Sequence, residues 1–359
     1  MKSKVAVLKT NPENVLKDIE KIFNLLNFKD LFNPSHPIVL KDNISWHYPF
    51  LSANTTPWQL EGTILSLKKL GFEEILALHN ETVVTRSKKG QKLMRLRNVY
   101  QKYGIKEYDN FNKKHTKWVL FKPKSELKVL LKIYKNGIFI PEILIGKNII
   151  HLPTLKTHIY TTTTGAMKNA FGGLLNTKRH YTHTYIHQTL VDLLKIQKEI
   201  HPSIFALMDG TISGDGAGPR TMRAHITNLL LASDDQVAID AVGAKLMGFD
   251  PLKIDYLRIA QEEGLGKANL EEIEILGEDI SNINLNFTVE ENLVKKTANL
   301  LWFGPFKKIQ YLFFHTPIVN IFILASYIYH DFIWWKFIGK KKMVPILSSD
   351  WGKLFSSYK

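Results

Sequence analysis

The segments Pro37-Ile38-Val39-Leu40-Lys41-Asp42-Asn43, Thr55-Thr56-Pro57 and Ile75-Leu76-Ala77-Leu78 decide how this chain folds. The first and last are short apolar runs of the kind that form strands buried on both faces. Between them, Thr55-Thr56-Pro57 caps and starts a helix in which Leu60, Ile64, Leu65 and Leu67 recur, and Gly71 ends it. Upstream, Val5-Ala6-Val7-Leu8 predicts a strand and Val15 to Leu26 an amphipathic helix. Strand, helix, strand, helix, strand at this spacing predicts an α/β fold, a mostly parallel sheet with helices on both faces.

Of the 359 residues, 45% are apolar and 23% charged, a globular composition that excludes global disorder, collagen-like repeats and a pure coiled coil. Cysteine is absent. The chain can therefore form no disulfide, no thiolate zinc site, no cysteine nucleophile and no cysteine-ligated iron–sulfur cluster. The formal charge of +15 is unevenly placed. Arg86 to Lys135 carries a net +13, residues 301–359 a net +6, and the remainder −4. A mildly acidic body over 1–300 thus bears a basic elaboration at about 86–135 and continues into a basic tail at 301–359. Within the elaboration, Trp118-Val119-Leu120-Phe121 and Val129 to Ile133 read as strands. The apolar run after Lys4 is too short for a signal peptide, whose apolar core needs about 7 to 15 residues, so a cytoplasmic location is expected.

The chemistry concentrates between Ile149 and Gly266. After a strand at Ile149-Ile150-His151-Leu152-Pro153 come Thr154-Leu155-Lys156-Thr157-His158, Thr161 to Thr164, Gly165, Met167-Lys168-Asn169 and Gly172-Gly173. A Thr/Gly-rich loop between strand and helix presents hydroxyls and free N–H groups that suit an anion, with Lys156 or Lys168 as point charge. His158 is the residue able to exchange a proton near neutral pH. His180, His183 and His187 fall at i, i+3 and i+7, on one face if helical. No carboxylate joins them, so they read as surface or supporting histidines and no metal site is expected. Asp209-Gly210 follows the strand Ile204 to Met208, and a glycine-rich loop with Gly214, Gly216, Gly218 and Pro219 comes next. Asp209 is placed there either as a proton acceptor, metal ligand or hydroxyl acceptor or as the cap of a turn. Ser233 and Gln236 make a capping box for a helix to about Met247, stopped by Gly248. Asp240 borders its apolar face and is expected either to be satisfied by a neighbouring backbone or, the preferred alternative, to pair with a lysine of the site.

These motifs together resemble the domain-of-unknown-function family 362. The resemblance rests on Leu152 to His158, Thr164 to Gly172, Asp209-Gly210 with Gly216-Ala217-Gly218-Pro219, and Ser233 to Ala241 with Met247-Gly248. Leu40 to Asn43 and Thr55-Thr56-Pro57 match its N-terminal motifs, so it covers roughly residues 1 to 275. It implies a pocket from Lys41, Asn43, Lys156, His158, Lys168, Asn169, Asp209 and Asp240. Lys156, His158, Lys168 and Asp209 are the candidate catalytic residues. Lys41, Asn43, Thr164, Gly165, Asn169, Gly216, Gly218 and Asp240 are the candidate substrate or anion ligands. Many members carry ferredoxin-type cysteine clusters, which implies a redox context. This chain has none, so electron transfer would need a separate partner protein or another cofactor, whose identity the sequence does not give.

The C-terminal region adds an apolar aromatic helical arm. Ile309 to His330 holds 22 residues with no formal charge apart from two histidines, including Tyr311-Leu312-Phe313-Phe314 and Ile318 to Ala325. Pro317, Asn320 and Ser326 interrupt the run, Trp334-Trp335 follow, and Lys307-Lys308 and Lys340-Lys341-Lys342 bracket it. Aromatics beside lysines suit the interface of an anionic membrane. The expectation is a peripheral or monotopic anchor, preferred to a full span or to an arm packed on the body or on a second subunit. Bulky aliphatics interleave the lysines, which argues against nucleic acid. The expected function is a membrane-surface enzyme acting on an anionic or lipid-linked substrate. The competing expectation is a non-catalytic ligand-holding assembly partner of a redox complex.

Overall fold

The computed structural model describes residues 2–290 and 316–359, together with Gly304, Ile309 and Leu312. The expectations placed on Lys307-Lys308, Tyr311 and Phe313-Phe314 lie outside the described residues.

The strands are β1 (Ser3–Lys9), β2 (Ile38–Asp42), β3 (Ile75–His79), β4 (Lys106–Asp109), β5 (Trp118–Phe121), β6 (Ile138–Pro141), β7 (Asn148–Leu152), β8 (Thr154–His158), β9 (Thr162–Thr163), β10 (Ile204–Ala217), β11 (Thr221–Ser233) and β12 (Ile273–Gly277). One sheet runs in the order β12-β1-β11-β10-β7-β2-β3-β4, with β8 joined to β10 and β9 to β8. From β10 to β4 its strands are parallel, and β11 runs against β10 and β1. The α/β class with a mostly parallel sheet is thus observed.

Alternation along each strand sends side chains to two separate cores, because successive residues point to opposite faces. Val5, Val7, Val39, Ile149, Ala206 and Met208 pack under the helices Gly165–Leu174, Ile186–Ile200 and Gln236–Met247. Ala6, Leu8, Leu40, Ile150, Phe205 and Leu207 face the helices Val15–Leu25, Pro57–Lys69 and Leu96–Tyr103. The helix at Pro57 begins as its sequence predicts, with the Thr56 hydroxyl accepting from the Gln59 N–H.

Several local expectations change. Asp209 does not stand at a strand end, because β10 continues through it to Ala217 and pairs with β11 as a long hairpin. Polar and glycine residues enter this strand because the hairpin supplies their backbone partners. The basic elaboration is only partly an insertion: Leu96–Tyr103 and β4 complete the main sheet, and β5 pairs with β6 alone. Leu130–Ile133 is one helical turn rather than a strand, held because the buried Asp192 carboxylate accepts from the N–H groups of Lys128, Val129 and Leu130. The cap of helix Gln236–Met247 is Asp235, not Ser233, whose hydroxyl instead ties Lys4 O to the Asp235 N–H. Gly248 ends that helix at φ +97°, as read.

The C-terminal arm is packed on the body along one face. Residues Ile328–Gly339 wind as a wide π-helix. Its buried positions, His330-Asp331, Trp334-Trp335 and Gly339, recur every four to five residues, which matches that wider turn. Trp335 stacks on Tyr48 with centroids 4.6 Å apart, and Trp334 lies 5.6 Å from Trp46. Asp331 accepts from the Trp46 indole at 3.0 Å and lies 2.9 Å from His47 Nε2. Further on, Trp351 packs 5.0 Å from Trp58 and donates to Asn228 at 2.8 Å. The opposite face of the arm is apolar and open, with Ile321 66%, Leu324 59%, Phe332 56% and Phe337 58% exposed. Among the described residues no helix is long and apolar enough to cross a membrane.

Candidate functional site

The chain leaves β2 for β3 and β4 on one side, then returns to place β7 and β10 on the other. The crevice beyond the carboxyl ends of β2 and β7 is therefore the switch point at which open α/β sheets bind ligands. Helix Pro57–Lys69 after β2 and helix Gly165–Leu174 after β8 pack against opposite faces, which keeps this crevice open. A cavity of about 350 Å³ lies there. Its walls come from the ends of β2, β3 and β8, the first turns of helix Gly165–Leu174, the 3-10 stretch Thr177–Tyr185, the tip of the β10–β11 hairpin, and Ser326 and His330 of the arm.

Four cationic side chains line it, Lys41, Lys168, Arg179 and Arg220, and among the described residues no aspartate or glutamate does. Burial, joined by repulsion from Arg179, brings the Lys168 ammonium down to about 8. Burial likewise brings Arg179 and Arg220 down to about 10, the latter against the pull of Asp331. Lys168 lies over the Phe171 ring at 5.2 Å. Arg179 directs its donors to the backbone carbonyls of Glu81 and Asn176, which orient the guanidinium without neutralising it. Lys41 differs: its ammonium donates to Asp42 O and sits 3.7 Å from the Asp42 carboxylate.

Behind the cavity, Asp42 belongs to a buried charge network. His79 Nδ1 lies 3.0 Å and Tyr100 Oη 3.3 Å from Asp42 Oδ2, while His79 Nε2 lies 3.2 Å from Glu107. Burial opposes the charged imidazole, and Asp42 outweighs it with help from Glu107, holding His79 up at about 9. Across the floor, Asn169 Nδ2 donates to Lys41 O at 2.8 Å and fastens helix Gly165–Leu174 to β2.

The candidate residues divide. Lys41, Asn43, His158, Thr164, Lys168, Asn169 and Gly218 all line the cavity. His158 is not a proton exchanger near neutral pH, because burial and the neighbouring Lys168 hold its pKa well below the usual histidine range. Its Nδ1 accepts the Tyr160 N–H at 3.1 Å, so the neutral ring carries its proton on Nε2. Lys156 stands one layer behind, donating to Ser45 Oγ at 2.9 Å, and Ser45 in turn donates to Asn43 Oδ1. Asp209 is outside the cavity, its carboxylate held by the Thr56 hydroxyl and by the Thr211 N–H at 2.7 Å.

Asp240 does not pair with a lysine. It accepts the Ala166 and Met167 N–H groups at 2.5 and 3.0 Å and so caps the first turn of helix Gly165–Leu174. Gly165 is explained by the same contact: it sits at φ +69°, and a Cβ there would come 2.1 Å from Asp240 Oδ1. Gly216, at φ +99°, gives its N–H to Thr288 O. His180 and His183 line the cavity, whereas His187 turns away on helix Ile186–Ile200 to accept the Tyr256 N–H. Among the described residues no group of histidine and carboxylate side chains is arranged to hold a metal ion.

Sequence reasoning missed Arg179, Arg220 and His330. Arg220 directly follows the Gly216-to-Pro219 motif and Arg179 precedes His180, so proximity to motif residues was the available signal. His330 carried none, because only the return of the arm brings it to the cavity.

Sheet, switch point and cationic crevice together define an α/β protein with a cationic cavity at the carboxyl ends of its parallel strands. The chain belongs to the family described as Domain of unknown function (DUF362), whose profile matches residues 38–245. That span contains all four cavity cations, and the arm residues Ser326 and His330 lie beyond it. The chain is also similar to Thylakoid-associated protein sll1697 of Synechocystis sp., 29% identical over 121 residues. The aligned part is 33% of this chain and 37% of that protein, so the chain spans little more than a third of that relative's length. No solved structure matches the chain significantly.

Proposed function

We propose that the protein is an enzyme that acts at a membrane surface on an anionic or lipid-linked substrate held in the cavity. The observation that carries this reading is a buried crevice lined by four cations and no carboxylate among the described residues. Desolvating positive charge without compensation is costly, and an anionic ligand is the species that removes the cost. Lys168 supplies a group able to exchange a proton near neutral pH, with the His158 Nε2–H as a fixed hydrogen-bond donor.

The membrane half rests on the open apolar face of the arm, with the exposed Lys336, Lys340, Lys341 and Lys342 beside it. Such a face enters the head-group boundary while lysines meet anionic lipid. The thylakoid association named for the similar cyanobacterial protein agrees with it. Because Ser326 and His330 of the same arm line the cavity, membrane and substrate meet on one element.

Flotation with vesicles of phosphatidylcholine and phosphatidylglycerol tests the membrane half. The native chain is expected to float, and a Phe332→Glu, Phe337→Glu double variant to stay at the bottom with an unchanged melting temperature. Equal flotation of both would refute the arm as anchor. For the catalytic half, Lys168→Met is expected to abolish turnover of the copurifying ligand and to weaken its binding, which the arginines retain only in part. Unchanged turnover would remove Lys168 from the chemistry, and a ligand that no form consumes would favour the ligand-holding role beside a redox partner.

A further inference from the structure

We infer that the anionic group taken by the cavity is phosphate-type, a phosphate monoester or diphosphate carrying at least two negative charges. This rests on the reading of the cavity as an anion site and names its ligand class. Three of the four lining cations lack a carboxylate partner. Lys168 meets the Phe171 ring, Arg179 meets the same ring and backbone carbonyls, and among the described residues no carboxylate forms an ion pair with Arg220, which Asp331 reaches only as a coulombic pull. A carboxylate monoanion would leave most of that charge uncompensated in a desolvated site.

Asn80 adds an amide to the lining, whereas the donors of Ser45, Thr85 and Asn43 are engaged on Asn43 Oδ1, Ser45 O and Ala53 O. A tetrahedral dianion has acceptor oxygens pointing in several directions, and arginine forks match two of them at once. Ser45 serves the wall rather than the ligand, since its oxygen accepts from Lys156 and its hydroxyl donates to Asn43 Oδ1.

Size sets what the phosphate is attached to. About 350 Å³ is near the lower end of ligand pockets, room for a small molecule or a head group but not for an acyl chain. The same chemistry therefore comes from a soluble phosphate compound or from a lipid head group whose chains stay outside beside the arm.

Isothermal titration of the full chain with sodium phosphate, pyrophosphate, acetate and malonate at constant ionic strength tests the inference. A second arm uses vesicles of phosphatidylcholine with phosphatidic acid or with phosphatidylglycerol at matched charge. Phosphate or pyrophosphate is expected to bind at least tenfold more tightly than acetate or malonate. Arg220→Gln and Lys168→Gln are each expected to lose that preference, with melting temperatures unchanged. Arg220→Lys, which keeps the charge but not the fork, serves if the glutamine variant fails to fold and is expected to recover only part of the affinity. Preferential binding to phosphatidic acid that both glutamine variants lose supports the inference and assigns the lipid source. Tight binding of free phosphate with no vesicle preference supports it and assigns the soluble source. Acetate or malonate binding as tightly as phosphate would overturn the phosphate class and leave the anion reading standing. Binding of no anion in either arm would overturn both.

Discussion

At the scale of single residues, Lys168 joins electrostatics to chemistry. Its ammonium is buried beside Arg179, with Lys156, His158 and His183 nearby, and titrates at about 8. A bound anion favours the charged form, so binding raises that value and takes up protons. Titrations at pH 8.5 in two buffers of different ionisation enthalpy are expected to show net proton uptake, and affinity is expected to fall as pH rises further. Heats independent of the buffer would contradict this role. Gly165 shows the opposite case, a residue that reads as a ligand but serves the fold. Gly165→Ala forces a side chain into the left-handed region and onto Asp240. It is expected to destabilise the protein by at least about 2 kcal/mol in urea unfolding, and an unchanged midpoint would refute the packing described for helix Gly165–Leu174.

At the scale of elements, two devices hold the cavity walls. The first is the Asp42–His79–Glu107 network joining the ends of β2, β3 and β4. His79 titrates at about 9, above its unfolded value of about 6.5. Its contribution to stability is therefore complete below the unfolded value and disappears as pH rises through about 9. The urea midpoint of the native chain is expected to fall between pH 7 and 10, and His79→Gln is expected to flatten that fall. Equal slopes would show that the network is not charged as described. The second device is the anchoring of the arm by Trp46, His47 and Asp331. Burial works against the Asp331 charge, but hydrogen bonds from His47 and Trp46 hold its pKa below the usual carboxylate value. Trp334→Ala removes a large side chain from this packing and is expected to cost about 3–5 kcal/mol. Loss of stability without loss of ligand affinity would separate the arm from the cavity.

At the scale of the whole molecule, charge separates from fold. The two cores follow from period-two alternation and helical spacing, both of which are local, so the strands β1, β2, β3 and β7 and their helices were legible from sequence within a residue or two. The hairpin β10–β11 was not, since Gly210, Ser213, Gly214 and Asp215 carry the signature of a loop while the partner strand supplies the hydrogen bonds. The cavity lining was legible at Lys41 and His158, at the ends of β2 and β8, and at Lys168 in the helix that follows. The site was misread at Gly165 and undecided at Asp209 and Asp240, because a buried carboxylate satisfied by N–H groups looks the same in sequence as one awaiting a substrate. The arm was recognised as apolar and aromatic, but its amphipathic division was hidden by the π-helical period, which places the buried residues four to five apart.

The proposed role of the cavity at the switch point is to hold an anionic ligand on its cationic walls. Native mass spectrometry of the full chain, gently purified, is the test. A bound anionic compound on the native protein, absent from the folded Arg220→Gln variant, is the predicted result; a neutral or cationic ligand, or one retained equally by the variant, would contradict the account.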